Sequence, residues 1–143
     1  MIYSRRRSQL RRRGVSAVEA AVVYPITMLL LLGTVVLGLG VFRYQQLQSL
    51  AREGARYASV HGPQYAADSG LAYATNSTVL TYIETLAVGL DHTKLSCTVT
   101  WSPNPPTATT PSTVTVHLTY DWVPEGYFQS MTMSASSVMP VTY

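Results

Sequence analysis

Residues 11–43 begin Arg11-Arg12-Arg13-Gly14, continue as a largely apolar run from Val15 to Phe42, and close on Arg43. From Ala20 to Phe42 no side chain carries a charge. About 23 residues of helix rise roughly 34 Å, enough to cross a hydrocarbon core of ~30 Å. A soluble core helix does not need so long an uncharged run, so residues 15–42 are assigned to a transmembrane helix. Six arginines precede it: Arg5, Arg6, Arg7, Arg11, Arg12 and Arg13. Arginine beside a span stays cytoplasmic, which places the N-terminus inside and everything after the span outside, in the inner (cytoplasmic) membrane with a single pass.

One residue interrupts the apolar pattern. Glu19 lies five positions after Gly14, just inside the run. An ionised carboxylate at membrane depth costs roughly 2.5 to 3.5 kcal/mol, so it either has a partner or sits in the headgroup layer at the end of the span. The pattern as a whole is a basic leader, Gly14, the small or apolar residues Val15, Ser16, Ala17 and Val18, then Glu19 and an apolar helix. It resembles the class III signal cut by prepilin peptidases in type IV pilins and pseudopilins. The resemblance implies cleavage between Gly14 and Val15, with Val15 as the mature N-terminus. It also implies that Glu19 is an assembly and processing acid that neutralises the α-amino group of a neighbouring subunit. In a low dielectric an acid and an amine each need the other.

Working outward, residues 1–14 are a leader and 43–143 an extracytoplasmic domain of 101 residues or fewer within a chain of 143. That leaves room for one small domain with a modest core. Only 12% of residues are charged, which suits a membrane or extracytoplasmic chain. The formal charge of +3 resides in the leader. Without it, four basic residues face seven acids, a formal net of −3. The basic block therefore belongs to topology, and no aromatic or polar readout surface accompanies it that would point to nucleic acid. A twin-arginine signal is disfavoured by Ser8 and Gln9, which stand where apolar residues should follow. An ordinary secretory signal is disfavoured by the length of the run. Cys97 is the single cysteine, which excludes an intrachain disulfide.

Pro25 removes one backbone donor within the span. Small residues recur along it: Ser16, Ala17, Ala20, Ala21, Gly33, Gly38 and Gly40. Beyond Arg43 the helix goes on. Tyr44, Leu47, Leu50, Ala51, Gly54, Ala55 and Ala58 recur every three or four residues, with Gln45, Gln46, Gln48, Arg52, Glu53 and Arg56 between them. This is an amphipathic continuation whose Gln48 faces water. Gly62-Pro63 stops it, so Val15 to His61 forms one helix of about 70 Å. With Glu19, Pro25 and Tyr44-Gln45, the segment Arg52 to Gly62 is similar to the TadE-like family of the tight-adherence (Tad) pilus system. The resemblance covers Arg11 to Pro63 well and the remainder in outline. Many members carry a further acid late in the apolar run; here that region reads Thr34-Val35-Val36-Leu37-Gly38.

The rest of the chain reads as a small α+β fold. Residues 64–76 form a loop. Asn76-Ser77-Thr78 offers a helix N-cap, followed by Val79, Leu80, Ile83, Leu86, Ala87 and Leu90 at helical spacing, with Gly89 as the stop. Lys94 to Trp101 and Thr113 to Trp122 alternate apolar and Ser/Thr residues, the pattern of a half-buried antiparallel sheet. Ser102 to Ser112, with four prolines, is a stiff hairpin tip. Pro124-Glu125-Gly126 is a turn. Met131, Met133 and Ala135 begin a third strand that ends before Pro140. The fold expected is a long N-terminal helix packed on a three-stranded antiparallel sheet with one further helix.

His61, His92 and His117 are far apart in the sequence, and none pairs with another ligand at metal spacing. There is no phosphate loop and no nucleophile elbow. No catalytic, cofactor or metal site is assigned, and the chain is not expected to be an enzyme. The resemblance implies a structural role as a pseudopilin or minor pilin. It also implies a prepilin peptidase, a major Flp-type pilin, the inner-membrane assembly platform and membrane lipid as partners. The competing reading is a single-pass anchored envelope-binding domain that is never cleaved; a small membrane-anchored enzyme is a further alternative.

Overall fold

The computed structural model of the chain describes residues 4–104, 106, 112–124 and 129–142, with side chains from residue 16 onward. It divides into two units, Met1–Leu39 and Gly40–Tyr143.

In the first unit the chain is helical throughout its described residues. Helix α1 spans Ser4–Val60, so it starts within the leader rather than at Val15. Arginine, glutamine and leucine are strong helix formers, and no proline lies before Pro25 to interrupt them. From Ser16 to Leu39 no side chain is buried. Val18, Leu29 and Leu37 are each about 70% exposed, at 68%, 72% and 72%. A window of mean hydropathy 2.3 in this helix is 0% buried, and the helix is long and apolar enough to cross a membrane. In water that exposure would forfeit roughly 1.5 to 3 kcal/mol for each large apolar side chain, and lipid removes the penalty. Pro25 stands inside the helix. The hydroxyls of Thr27 and Thr34 donate to the carbonyls of Val23 and Leu30, each at 2.9 Å, so their polar atoms are satisfied within the helix.

The second unit begins with the last residues of the uncharged run and carries the folded domain. After the outer half of α1 come α2, Pro63–Ser69, and α3, Asn76–Leu86. A short 3-10 turn, His92–Lys94, leads into the strands β1, Leu95–Ser102, β2, Thr113–Trp122, and β3, Met131–Pro140. The sheet order is β1-β2-β3 and both pairings are antiparallel. Val99 stands opposite Val116, and Leu118 opposite Ala135. One face of this sheet holds Leu95, Trp101, Val114, Val116, Leu118, Tyr120 and Ala135, all buried. The alternating Ser and Thr residues of β1 and β2 and His117 point the other way, exposed or half-buried. Period-two alternation in the sequence thus becomes one dry face and one wet face.

The dry face is covered by the apolar stripe of α1 and by α3. Leu47, Leu50, Ala51, Ala55 and Ala58 are buried together with Val79 and Ile83 of α3 and the sheet residues in one core. Alanine and glycine at the centre of the stripe let the helix approach closely. A Cβ added at Gly54 would fall 2.7 Å from Ile83 Cδ1 and 3.4 Å from Val116 Cγ1. The structure therefore buries Leu47, Leu50, Ala51, Gly54, Ala55 and Ala58 of the expected stripe, while Tyr44 at its start is exposed. Gln48 departs from its reading as a solvated residue: it is half-buried, and its amide donates to the Tyr44 hydroxyl at 3.0 Å.

Boundaries differ in instructive ways. Helix α1 ends at Val60, one residue before His61. Gly62 is the N-cap of α2 and Pro63 its first residue, so the Gly-Pro pair both stops one helix and starts another. The expected loop over residues 64–76 is consequently a short helix followed by a loop. Thr75, not Asn76, caps α3: its side chain accepts from the Thr78 amide while the Thr78 hydroxyl accepts from the Thr75 amide. Asn76 is committed elsewhere, its Oδ1 accepting from the Val99 amide of β1 at 2.8 Å. Helix α3 stops at Leu86, and Gly89 lies in the turn beyond it at φ +77, a left-handed conformation that favours glycine. Strand β1 starts at Leu95 instead of Lys94, because Lys94 closes the 3-10 turn. Strand β3 includes Pro140, paired with Thr113; proline is tolerated at the end of an edge strand. Pro105, Pro111 and most of the hairpin tip between β1 and β2 lie outside the described residues, as do Glu125 and Gly126 of the turn before β3.

Candidate functional site

The residues singled out for processing lie on the first unit of α1. Gly14 and Val15 are in helical backbone, and the Val15 side chain lies outside the described side chains. Glu19 is one helical turn further on. It is exposed, and among the described residues it has no hydrogen-bond or ion-pair partner. The structure thus presents a carboxylate at the edge of an uncharged helical face, with no group described in its own chain to neutralise it. The small residues of the span are also unfilled from within. A Cβ at Gly33 or Gly38 would meet nothing within 4 Å. Small positions of this kind are where a second helix can approach in lipid.

The second cluster lies where the uncharged run ends. A Cβ at Gly40 would stand 3.1 and 3.4 Å from two carbons of the Trp122 ring, so the indole packs directly on helix backbone. One turn later the Arg43 guanidinium donates to the Gly89 carbonyl. Gln46 Nε2 donates to the Val88 carbonyl at 2.8 Å, while its Oε1 is buried without a partner among the described residues. Arg43 and Gln46 are three apart on one helix face and hold the turn after α3 against α1. Neither contact could be read from sequence: the partners are backbone carbonyls more than forty positions away. The only local signal was Gly89, a glycine whose positive φ the turn requires.

Other polar groups are accounted for structurally. His61 stacks on Tyr57 with ring centroids 4.1 Å apart, and Tyr57 stacks in turn on Tyr82 at 4.4 Å. His61 Nδ1 lies 2.9 Å from the Tyr57 carbonyl. His92 lies in the 3-10 turn, and His117 is exposed on the wet face of β2. Among the described residues no three His, Cys, Asp or Glu side chains come together in a group that could hold a metal ion. Asp91 caps the 3-10 turn. Hydrogen bonds from the Thr93 side chain and backbone, with a smaller contribution from Lys94, hold its carboxyl below the ordinary carboxylate range. Cys97 is half-buried on the core side of β1, and loss of solvation raises its thiol to about 11. An open polar groove runs between Gln45, Gln48, Ser49 and Arg52 of α1 and Ser136 to Val138 of β3.

Against this geometry, residues 14–56 match the family model described as TadE-like protein. The match begins at Gly14, includes Glu19, Gly40, Arg43 and Gln46, and ends within the buried stripe of α1. The resemblance seen in the sequence is thereby shown over that segment, which is the apolar helix long enough to cross a membrane and its amphipathic continuation. No curated protein matches the chain. No solved structure matches it either.

Proposed function

We propose that the chain is a TadE-like pseudopilin, or minor pilin, that takes part in assembling a Tad-type pilus or a related secretion apparatus. The observation that carries this reading is the match over residues 14–56, which coincides with a helix without a buried side chain from Ser16 to Leu39 and bearing, in Glu19, an acid without a partner among the described residues. In this reading a prepilin peptidase cuts between Gly14 and Val15, leaving Val15 as the new N-terminus. The new α-amino group and the Glu19 carboxylate of a neighbouring subunit then neutralise one another in the low dielectric of packed helices. The role is structural rather than enzymatic. The implied partners are the peptidase, a major Flp-type pilin and the inner-membrane platform, with the domain after Phe42 outside the cytoplasm.

The test is the mature mass and N-terminal sequence of the protein made beside its own prepilin peptidase. Loss of residues 1–14 with Val15 at the N-terminus is the expected result. Retention of the full-length chain would instead support an uncleaved, single-pass anchored domain.

A further inference from the structure

Gly40, Val41 and Phe42 close the uncharged run, yet they belong to the same unit as the folded domain. Three contacts fasten that domain to this short piece of helix: Trp122 on Gly40, the Gly89 carbonyl on Arg43, and the Val88 carbonyl on Gln46. Gly40 to Gln46 covers about 9 Å of helix axis. That is comparable with one headgroup layer, about 5 to 8 Å between the hydrocarbon core and bulk water.

We propose that the turn 86–89, together with Trp122 and Val123, is a second membrane contact: a platform that rests in the headgroup layer beside the outer end of the span. The proposal rests on reading residues 20–42 as that span. Its side chains have the chemistry of the interface. Val88 at the tip of the turn is 80% exposed and Leu86, which opens the turn, 41%; Val123, next to Trp122 in the chain, is 36% exposed. Trp122 is half-buried, with its ring on the helix at a level where the run is still uncharged. Tryptophan favours this layer because its ring is largely apolar and carries one polar N–H. The backbone is prepared as well. Carbonyls at the tip of a turn ordinarily need water, but those of Val88 and Gly89 are bonded by Gln46 and Arg43, so the tip can approach acyl chains without leaving them bare. Arginine at the end of a span commonly turns its head toward the interface, and here that head is also a clamp.

The occupant is lipid rather than a protein because Trp122 packs on Gly40, whose neighbours Val41 and Phe42 are 58% and 61% exposed at the end of the uncharged run. Leu71 provides the contrast. It is as exposed as many span residues, at 61%, but it follows α2 in a loop tied back to His61 through the Ala74 amide. His61 lies about 28 Å along the helix from Phe42.

The experiment uses the full chain with Cys97→Ser, reconstituted in phosphatidylcholine vesicles. A single cysteine is placed in turn by Val88→Cys, Leu31→Cys or Leu71→Cys and labelled with an environment-sensitive fluorophore; near-UV circular dichroism confirms that each variant is folded. Lipids carry a nitroxide quencher either near the headgroup or near the chain end. The Val88 label should shift to the blue and be quenched more by the shallow nitroxide than by the deep one. The Leu31 label should show the reverse order, and the Leu71 label should be quenched by neither. A Val88 label that behaves like Leu71 while Leu31 is quenched overturns the platform and leaves the anchor standing. An unquenched Leu31 label overturns the anchor, and the platform falls with it.

Discussion

Gly54 and Ile83 approach so closely that a methyl group on Gly54 would fall 2.7 Å from Ile83 Cδ1. Ile83 is fully buried and is itself packed within the core of the folded domain. Gly54→Ala can be relieved by turning the end of one isoleucine. Gly54→Leu cannot, and should destabilise the domain by about 1 to 3 kcal/mol through overpacking. Thermal melting followed by near-UV circular dichroism in detergent measures both; similar melting temperatures for the leucine variant and the unaltered chain would mean that α1 and α3 do not meet at this point.

The buried stripe of α1 can be tested by deletion as well as by addition. Leu47 is 1% exposed, and Leu47→Ala should cost about 2 to 5 kcal/mol. Ser49, two residues on and exposed, should accept aspartate within about 0.5 kcal/mol. Equal losses for the two variants in the same melting experiment would contradict the docking of the helix on the sheet.

The proposed processing would depend on the glycine before the cut. Gly14→Trp should leave the precursor intact by mass spectrometry in cells that hold the prepilin peptidase, while the unaltered chain is shortened to Val15. Processing of the tryptophan variant at the normal rate would move the cleavage site elsewhere.

The arginines before Gly14 predict an orientation with the domain after Phe42 outside the cytoplasm. A reporter that is active only outside the cytoplasm, fused after Tyr143, should be active. An inactive fusion present at full length would reverse the topology.

Cys97 offers a chemical measure of how the sheet packs. Burial raises its thiol from an ordinary 9.0 to about 11, so the reactive thiolate is scarcer in the folded chain at every pH below that range. Alkylation at pH 8 should be about a hundredfold slower than after unfolding in guanidinium. As the pH rises from 9 toward 11 the folded rate should keep climbing while the unfolded rate levels off. A folded rate equal to the unfolded one at pH 8 would place the thiol in water.

What could be read in advance follows from the range over which each determinant acts. The strand Thr113–Trp122 was legible to the residue, because five alternating apolar side chains carry their own phase. The stripe of Leu47, Leu50, Ala51 and Gly54 was legible for the same reason at helical period. The α2 helix was not: Pro63–Ser69 is short and has no buried residue, so no periodic face marks it. The cap of α3 was misplaced by one residue because Thr75 and Asn76 are both good caps. What decides between them is the distant Val99 amide, which engages Asn76. In the candidate site, Glu19 stood out as a charge in an apolar run. The clamp formed by Arg43 and Gln46 did not, since its partners are backbone atoms of a turn whose position is set by the whole sheet.

The bond between Asn76 and Val99 has a consequence beyond the placement of α3. Strand β1 forms one margin of the sheet, and a margin's unpaired amides invite strands from other chains. By filling one rung of that ladder with a side-chain oxygen, and by standing a helix behind it, the chain denies this margin to its neighbours. Asn76 is in this sense a guard against misassembly, bought with a single amide group and no charge.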